Sequence, residues 1–470
     1  MGKLRLSIIA FLFVSLLPAQ AAFSQEQASP PTPAAYPAPN WNKRFGQPQL
    51  MSLRLYDDRV RLGGQLRGRG ELKNNFYVLN QVDTAGGQLG FQDFVLLRTR
   101  LAGEVKPTAG TGLFLMLQDA EEWNFHGPET QDFSMDIQQA YVYADNILDT
   151  PISIWAGRRE VIYDNERLIG TSIGWGNKVF TYDGAMVTLE VEAARLDLFA
   201  LNQVVKLPGD EAAQWFDNPR TLYGGWFTWQ KTPLGAKVDY YFLFDNHTEA
   251  DSDSYTTGLR LYGNGAPEYF PICYCPAGRE TNVFDFDVEG IYQFGKFQGA
   301  DRLAWAAHAE AGYTFEFPFK PRLGAEYNGA SGDDDPGRGD FGTFDQLYAA
   351  NHGKYGLMDL FSLKNMHEVN GNVRAFFWKG MNLTTWFRSF WLDSRRDAWY
   401  DSCGRVIRQD TSGRARAHVG NELDVLFCQK LGKILELYLF YGHFFPGGFV
   451  EDTGESGGTD YGYLEVRLNF

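Results

Sequence analysis

The sequence predicts an all-β fold, a transmembrane antiparallel β-barrel of about 18 strands with short periplasmic turns and long external loops. Three observations carry that prediction. Apolar and polar residues alternate with a period of two along most of the chain. Past the first residues, no stretch offers the roughly 18 consecutive apolar residues that a spanning helix requires. The final segment, 461–470, is itself an alternating strand ending in Phe470.

Composition narrows the function classes. The chain has 470 residues, 44% of them hydrophobic and 16% aromatic, with a formal net charge of −15. That acidity argues against a nucleic-acid partner, which is gripped through phosphates by a basic surface. The 37 Phe, 24 Tyr and 12 Trp are too much apolar surface for a disordered chain to leave in water. Among the cations, 28 Arg outnumber 15 Lys, a bias suited to gripping carboxylates or phosphates.

The first residues have the layout of a secretory signal, expected to span 1–21. Lys3 and Arg5 precede the apolar run 6–17, and an Ala-x-Ala box ends at Ala21. Residues 22–49, with Pro30, Pro31, Pro33, Pro37 and Pro39, read as a disordered leader. From 50 to 470 the texture is uniform and reads as the barrel.

Within that region the alternating runs follow one another. Leu62, Leu66 and intervening glycines alternate with Arg61, Gln65, Arg67 and Arg69. Val95, Leu97, Thr99 and Leu101 alternate with Leu96, Arg98, Arg100 and Glu104. Further runs are Val187-Leu189-Val191, Phe284-Phe286-Val288, Leu323-Ala325-Tyr327 and Leu435-Leu437-Leu439-Tyr441. The polar faces carry several charges per strand, which a soluble sandwich would not bury. Aromatic groups such as Trp226/Trp229 and Trp386/Phe387/Trp391 read as belts at the membrane interfaces. Turns such as Thr232-Pro233-Leu234-Gly235 alternate with long polar stretches such as 249–254 and 332–339. About 420 residues, at about 23 per strand with its connection, give about 18 strands.

Period two places Arg98 and Arg100 on one face. Facing lipid at the midplane, each would cost roughly 2–4 kcal/mol, so both are expected inside. Arg158 and Arg159 are adjacent, so an ideal strand sends them to opposite faces unless Gly157 permits a bulge. The acidic stretches 249–253 and 333–335 match no calcium-loop spacing and read as solvated external loops. The four cysteines fit an oxidising compartment, with a loop disulfide from Cys403 to Cys273 or Cys275 as one arrangement; they define no metal site. No His-Glu-x-x-His motif occurs, and nothing singles out a glycosidase pair among the carboxylates. His367-Glu368 and His418 fall on expected strands with no evident serine partner. The chain is therefore read as not an enzyme.

Several segments resemble the alginate-export family of outer-membrane porins. These are Trp155-Ala-Gly-Arg-Arg-Glu-Val-Ile-Tyr-Asp-Asn-Glu-Arg-Leu168, Trp175-Gly-Asn-Lys-Val-Phe-Thr-Tyr-Asp-Gly184, Gly420-Asn-Glu-Leu-Asp-Val425 and Tyr441-Gly-His-Phe-Phe-Pro-Gly447, together with the earlier Arg98-Thr-Arg100. Their order covers about residues 55–470. The resemblance implies a monomeric barrel in the bacterial outer membrane whose lumen is lined by arginines. In place of the family's basic residues, this chain has His352-Gly353-Lys354 in mid-chain and Gln138-Gln139 before Tyr141.

A channel for a polyuronate needs donors that meet carboxylates repeatedly without trapping them. The expected lumenal residues are Arg98, Arg100, Arg158, Arg159, Arg167, Asp183, Arg374 and Arg388, with Arg158 favoured over Arg159 through the resemblance. The alternative role for these residues is an internal salt-bridge ladder with Glu104, Glu160, Glu166, Asp183 or Glu190. Trp155, Trp175, Tyr182 and Trp386 are candidates either for stacking on sugar rings or for girdle and packing positions.

The expectation is passive diffusion of an anionic solute, without cofactor or ATP. The leading solute is an acidic, alginate-like polysaccharide or its oligomers. The alternatives are a general, small-anion or sugar porin of the same fold and a non-conducting surface-binding barrel. Expected partners are outer-membrane lipid and a periplasmic export or degradation machinery.

Overall fold

The computed structural model describes residues 53–76, 90–124, 133–163, 165–172, 174–204, 220–232, 235–247, 252–263, 281–432 and 434–470. The expected signal and leader segments, Cys273, Cys275 and most of the acidic stretch 249–253 lie outside these residues.

Eighteen strands form the wall, each paired antiparallel to its neighbours. The first half contains β2 (Val60–Asn74), β3 (Phe91–Thr108), β4 (Thr111–Trp123), β5 (Phe133–Ala144), β6 (Ile152–Arg159), β7 (Tyr182–Glu190), β8 (Ala194–Gln203), β9 (Arg220–Trp229) and β10 (Lys237–His247). It continues with β11 (Ser252–Gly263), β12 (Val283–Phe297), β13 (Ala300–Thr314), β14 (Arg322–Ala330), β15 (Met366–Ala375), β16 (Met381–Trp391), β19 (His418–Leu431), β20 (Leu435–Pro446) and β21 (Thr459–Asn469). A short β1 (Leu53–Leu55) pairs back on β2, and β17 (Ala398–Tyr400) with β18 (Val406–Gln409) makes a separate hairpin.

The sheet closes where β21 pairs with β2, from Gln65 opposite Asn469 to Asn74 opposite Asp460. Gly64 and Phe470 exchange both backbone hydrogen bonds, at 2.7 and 2.9 Å, and extend the seam. A Cβ on Gly64 would sit 2.7 Å from both the Phe470 ring and the Arg100 carbonyl, so glycine admits the closing contact. Closure leaves no strand edge with unpaired amides, a condition that hydrocarbon imposes on any β-structure crossing it.

Period two then sorts the side chains. On β2, Leu62, Leu66 and Leu72 are 42%, 42% and 53% exposed, whereas Arg67 and Arg69 are 0% and 3% exposed. The outward set continues around the wall with Val95, Leu101, Leu115, Val187, Phe242, Leu259, Val288, Leu323, Val369 and Leu464. This apolar outer belt and polar interior make a transmembrane barrel.

The aromatic groups read as belts are split by the same rule. Trp229 and Phe387 face outward, but Trp226 and Trp386 are buried inside. Alternation, not clustering in sequence, decides their side.

The rim where β21 ends carries the short connections, including 109–110, 191–193 and 432–434; 264–282 is a long one on that side. The opposite rim carries 75–90, 160–181, 331–365 and 392–417. By the usual asymmetry of outer-membrane barrels, the first rim is periplasmic and the second external.

Two external loops turn into the bore. Loop 160–181 buries Val161, Tyr163, Leu168 and Ile169; loop 331–365 buries Phe344, Tyr348, Leu357, Met358, Phe361 and Leu363. They meet at a parallel bridge between Ile169 and Tyr348, with Gly170 N–H donating to the Tyr348 carbonyl and Tyr348 N–H to that of Leu168, each at 2.9 Å. A Cβ on Gly170 would stand 2.9 Å from the Ala350 Cβ, so this close approach also requires glycine.

Asp345 ties the second loop to the wall, accepting from Arg220 at 3.1 Å and from Arg302 at 3.2 Å. Burial by itself would raise the Asp345 pKa, but these guanidiniums hold its carboxyl well below the usual range.

The sorting can be tested at one position. Leu101→Arg, next to the inward Arg100, should lower stability in vesicles by roughly 2–4 kcal/mol in reversible urea unfolding. A change below about 0.5 kcal/mol would mean that this face does not meet lipid.

Candidate functional site: the charged wall of the bore

The inward positions of β21, β2 and β3 bring three arginines to one height. Arg467 is the register partner of Arg67, and Arg67 is the partner of Arg98. Like charges placed directly opposite repel, so such a row persists only with acceptors in front of it.

Loop 160–181 supplies them as backbone. Arg467 Nη2 donates to the Gly174 carbonyl at 2.6 Å and Arg67 Nη1 to that of Trp175 at 2.9 Å. Arg98 Nη1 donates to the Gly176 carbonyl at 2.7 Å. Arg69, one inward position further along β2, also donates to the Trp175 carbonyl at 2.8 Å. Its guanidinium carbon lies 3.5 Å from the centre of the Trp175 ring, a cation–π contact. Glu465 lies beside the row, 3.2 Å from Arg69 and in contact with Arg467.

The other expected lumenal residues are distributed as follows. Arg100 donates to Gln118 at 2.7 Å and is 3.3 Å from Glu160. Arg158 and Asp183 are register partners on β6 and β7 and form a two-pronged pair at 2.8 and 3.0 Å. Arg159 lies over the rings of Tyr141, at 4.5 Å, and Trp155, at 5.5 Å. Gly157 between these strands' ordinary segments has φ +128°, and past it both arginines are buried. There is no register shift at this point, so the strand accommodates the pair by a local glycine twist instead of a bulge.

Arg167 lies on the inserted loop and donates to Glu289 of β12 at 2.9 Å. Arg388 on β16 binds Glu368 at 2.5 Å and Asp424 at 3.3 Å, and it also reaches the Lys354 carbonyl at 3.3 Å. Arg374 is half-buried near the periplasmic rim and donates to Thr384 at 3.1 Å. The structure thus joins Arg98 to a row of neighbours but spreads the remaining candidates around the wall.

Sequence reasoning missed Arg67, Arg69 and Arg467 as candidates. Their signal was the same alternation that picked out Arg98 and Arg100. Away from the row, Asp285 and Asp287 of β12 and Glu310 of β13 are matched by cations on the wall. Arg322 meets Asp285 at 2.6 Å and Glu310 at 2.8 Å, and Arg260 meets Asp287 at 2.6 Å.

The aromatic candidates all turn inward. Trp155 and Tyr182 are fully buried, with Tyr182 Oη donating to the Gly170 carbonyl at 2.8 Å. Trp386 lies 5.7 Å from the Arg388 guanidinium. Trp175 stacks on His352, centroid to centroid 3.6 Å and 5° from parallel.

No group of three or more potential metal ligands occurs among the described residues. Gly170-Thr-Ser-Ile-Gly174 has the spacing of a nucleophile elbow, but it lies in the inserted loop and lacks the strand-to-helix turn that gives the motif its meaning. Cys428, inward on β19, is disulfide-bonded, whereas Cys403 lies on the external loop 392–417.

A closed antiparallel barrel with an apolar belt, a charged interior and inserted external loops is an outer-membrane channel of the porin class. Residues 58–463 match the alginate-export family, and the chain belongs to that family. It is a transport barrel of the bacterial outer membrane.

Solved structures share its fold at low identity. OpdK of Pseudomonas aeruginosa superposes with a TM-score of 0.59 at 9% identity, covering 87% of this chain and 98% of its own. A BenF-like porin from Pseudomonas fluorescens Pf-5 gives 0.59 at 10% identity, covering 88% and 99%. OccK11 (OpdR) of P. aeruginosa gives 0.55 at 12% identity, covering 90% and 100%. No curated protein matches the sequence.

The buried pairs predict a contrast in stability. Arg388→Met leaves Glu368 and Asp424 without their shared cation and should cost about 3–5 kcal/mol in urea unfolding from vesicles. Glu192→Gln breaks the solvent-exposed contact with Lys231, which water and salt screen, and should leave stability within the error of the measurement. Equal losses in the two variants would contradict this division.

Proposed function

We propose that this barrel passes carboxylate-bearing solutes across the outer membrane by passive diffusion, using the arginines of its wall as successive forks. Arg98 and Arg100 on β3, with Arg67, Arg69 and Arg467 beside them, form the principal stretch of that path. The single observation that carries the reading is the row of three guanidiniums at one height. Aligned cations of this kind are costly to maintain for structure alone. A guanidinium meets a carboxylate in a planar, two-pronged geometry and can hand it to a neighbouring fork.

The solute class is small carboxylates and short oligouronates. Two inserted loops fill the bore between its walls, which favours narrow solutes over a polymer strand. A crystal structure of OpdK, which shares the fold, was determined with vanillate, itself a small carboxylate. The family's name points to the second reading, passage of an intact acidic polysaccharide, with a periplasmic export machinery as partner. Transit of a polymer requires both loops to leave the bore. Direction follows the solute gradient in either reading.

Planar-bilayer recording tests the proposal. The open channel should prefer chloride to potassium, and Arg98→Glu with Arg100→Glu should lower that preference several-fold, read from the reversal potential. Galacturonate should shift the reversal potential as a permeant anion. A cation-selective parent channel would discard the arginine path, and unaltered reversal potentials in the variant would confine Arg98 and Arg100 to a structural role.

A further inference from the structure

In front of the arginine row a run of loop backbone is added to the acceptors on the strands, Glu465 beside Arg467 and Arg67 and Gln65 beside Arg98. Arg322, Arg260 and Arg388 reach Glu310, Asp287 and Glu368 on neighbouring strands. Arg467, Arg67 and Arg98 each donate to a neutral carbonyl, on the successive residues Gly174, Trp175 and Gly176. At position 176 a Cβ would stand 2.2 Å from the Lys178 carbonyl, so the loop offers the row bare backbone there.

We propose that these three carbonyls occupy an anion site, and that a solute's carboxylates replace them and draw loop 160–181 away from the wall. The inference rests on the carboxylate-channel reading and adds that the solute opens its own path.

The physical basis is a competition between acceptors. A carbonyl presents only a dipole to a guanidinium, whereas a carboxylate presents a full charge and two oxygens. Adjacent strands lie about 4.8 Å apart, so the row sets three forks across about 10 Å. A chain of uronates can therefore meet more than one fork at once. Each carbonyl that is displaced returns to water, which satisfies it.

Release of this loop also reaches the second one. Trp175 has the Arg69 guanidinium at 3.5 Å and the His352 ring at 3.6 Å from its centre, and two groups so close cannot share one face of the ring. Trp175 is thus clamped between the wall and loop 331–365. His352 is oriented by Asp359, which lies 2.9 Å from its Nδ1, while its buried Nε2 has no hydrogen-bond partner among the described residues. Withdrawing Trp175 removes the surface on which His352 rests.

Hydrogen exchange on the full chain in detergent micelles, read by mass spectrometry, tests the latch. The Trp175 and Gly176 amides donate to the Ser172 carbonyl, and the Phe180 amide donates to that of Thr171, so the latched segment is protected. Tetragalacturonate should speed exchange in 174–180 by about ten-fold. Maltotetraose, and sodium chloride at matched ionic strength, should leave it unchanged. Arg98→Gln with Arg467→Gln should raise exchange there without any sugar and abolish the response.

Unchanged or slower exchange with tetragalacturonate, or an equal rise with maltotetraose or salt, overturns the latch. So does parental exchange in the double variant. Should the latch fail while the bilayer current stays anion-selective and tetragalacturonate blocks it, the channel reading stands by itself. A cation-selective current removes both. The parent measurement stands even if the double variant does not fold.

Discussion

Hydrocarbon accepts neither an unpaired amide nor a bare charge, and the rest of this structure follows from that refusal. The first half of the condition closes the sheet: β21 must find β2, and Gly64 exchanges hydrogen bonds with Phe470 to extend the seam. The second half forces the charged side chains of the strands to one side of it. An interior so dense in guanidiniums and carboxylates cannot be left to chance, because a buried charge without a partner is far more costly than any single apolar contact is worth. The bore is consequently organised by pairing.

Pairing takes two forms, which differ in permanence. Around β12–β16 and β19 the partners stand on neighbouring strands, as in Arg322 with Glu310 or Arg388 with Glu368. The backbone ladder fixes both members, so these pairs move only if the wall does. At β21, β2 and β3 the strands supply Glu465 and Gln65, and the carbonyls of Gly174, Trp175 and Gly176 are added by a loop that stands outside the ladder of the wall. The proposed latch draws on this second set of acceptors. A wall built solely in the first way would be rigid and indifferent to solute. One built solely in the second would have no fixed charge pattern to offer.

What the sequence disclosed follows the range of the interactions involved. The strands and their facing are local properties, and the alternation in β2, β3, β12 and β21 shows them directly. The inward position of Arg98 and Arg100 followed from the cost of the alternative. The fate of Arg158 and Arg159 did not, since it turns on the positive φ of Gly157, which alternation does not encode. Reading Trp226 and Trp386 as girdle residues put the proximity of aromatics ahead of their parity.

The inserted loops were illegible for a different reason. Loop 331–365 begins with a buried Asp333, contrary to the expected solvated acidic stretch, followed by exposed Asp334 and Asp335, and continues through Phe344, Leu347, Tyr348, Leu357, Met358, Phe361 and Leu363. That apolar run is too greasy for an external loop in water, but nothing local says what covers it. The cover comes from loop 160–181 and from the walls, across more than a hundred residues of sequence.

The circumference of the barrel is set by strand number and hydrogen-bond register, and a single substitution can hardly change either. The aperture is set by how far the two loops reach inward and by what they rest on. Evolution can therefore alter the solute without disturbing the wall, by changing a loop residue such as His352 or the acceptor that faces an arginine. This division accounts for a shared fold at about a tenth of identical residues between this chain and OpdK. On the proposed carboxylate path, the information about the solute lies in the contacts between Arg467, Arg67 and Arg98 and the loop in front of them, rather than in the architecture that holds them level.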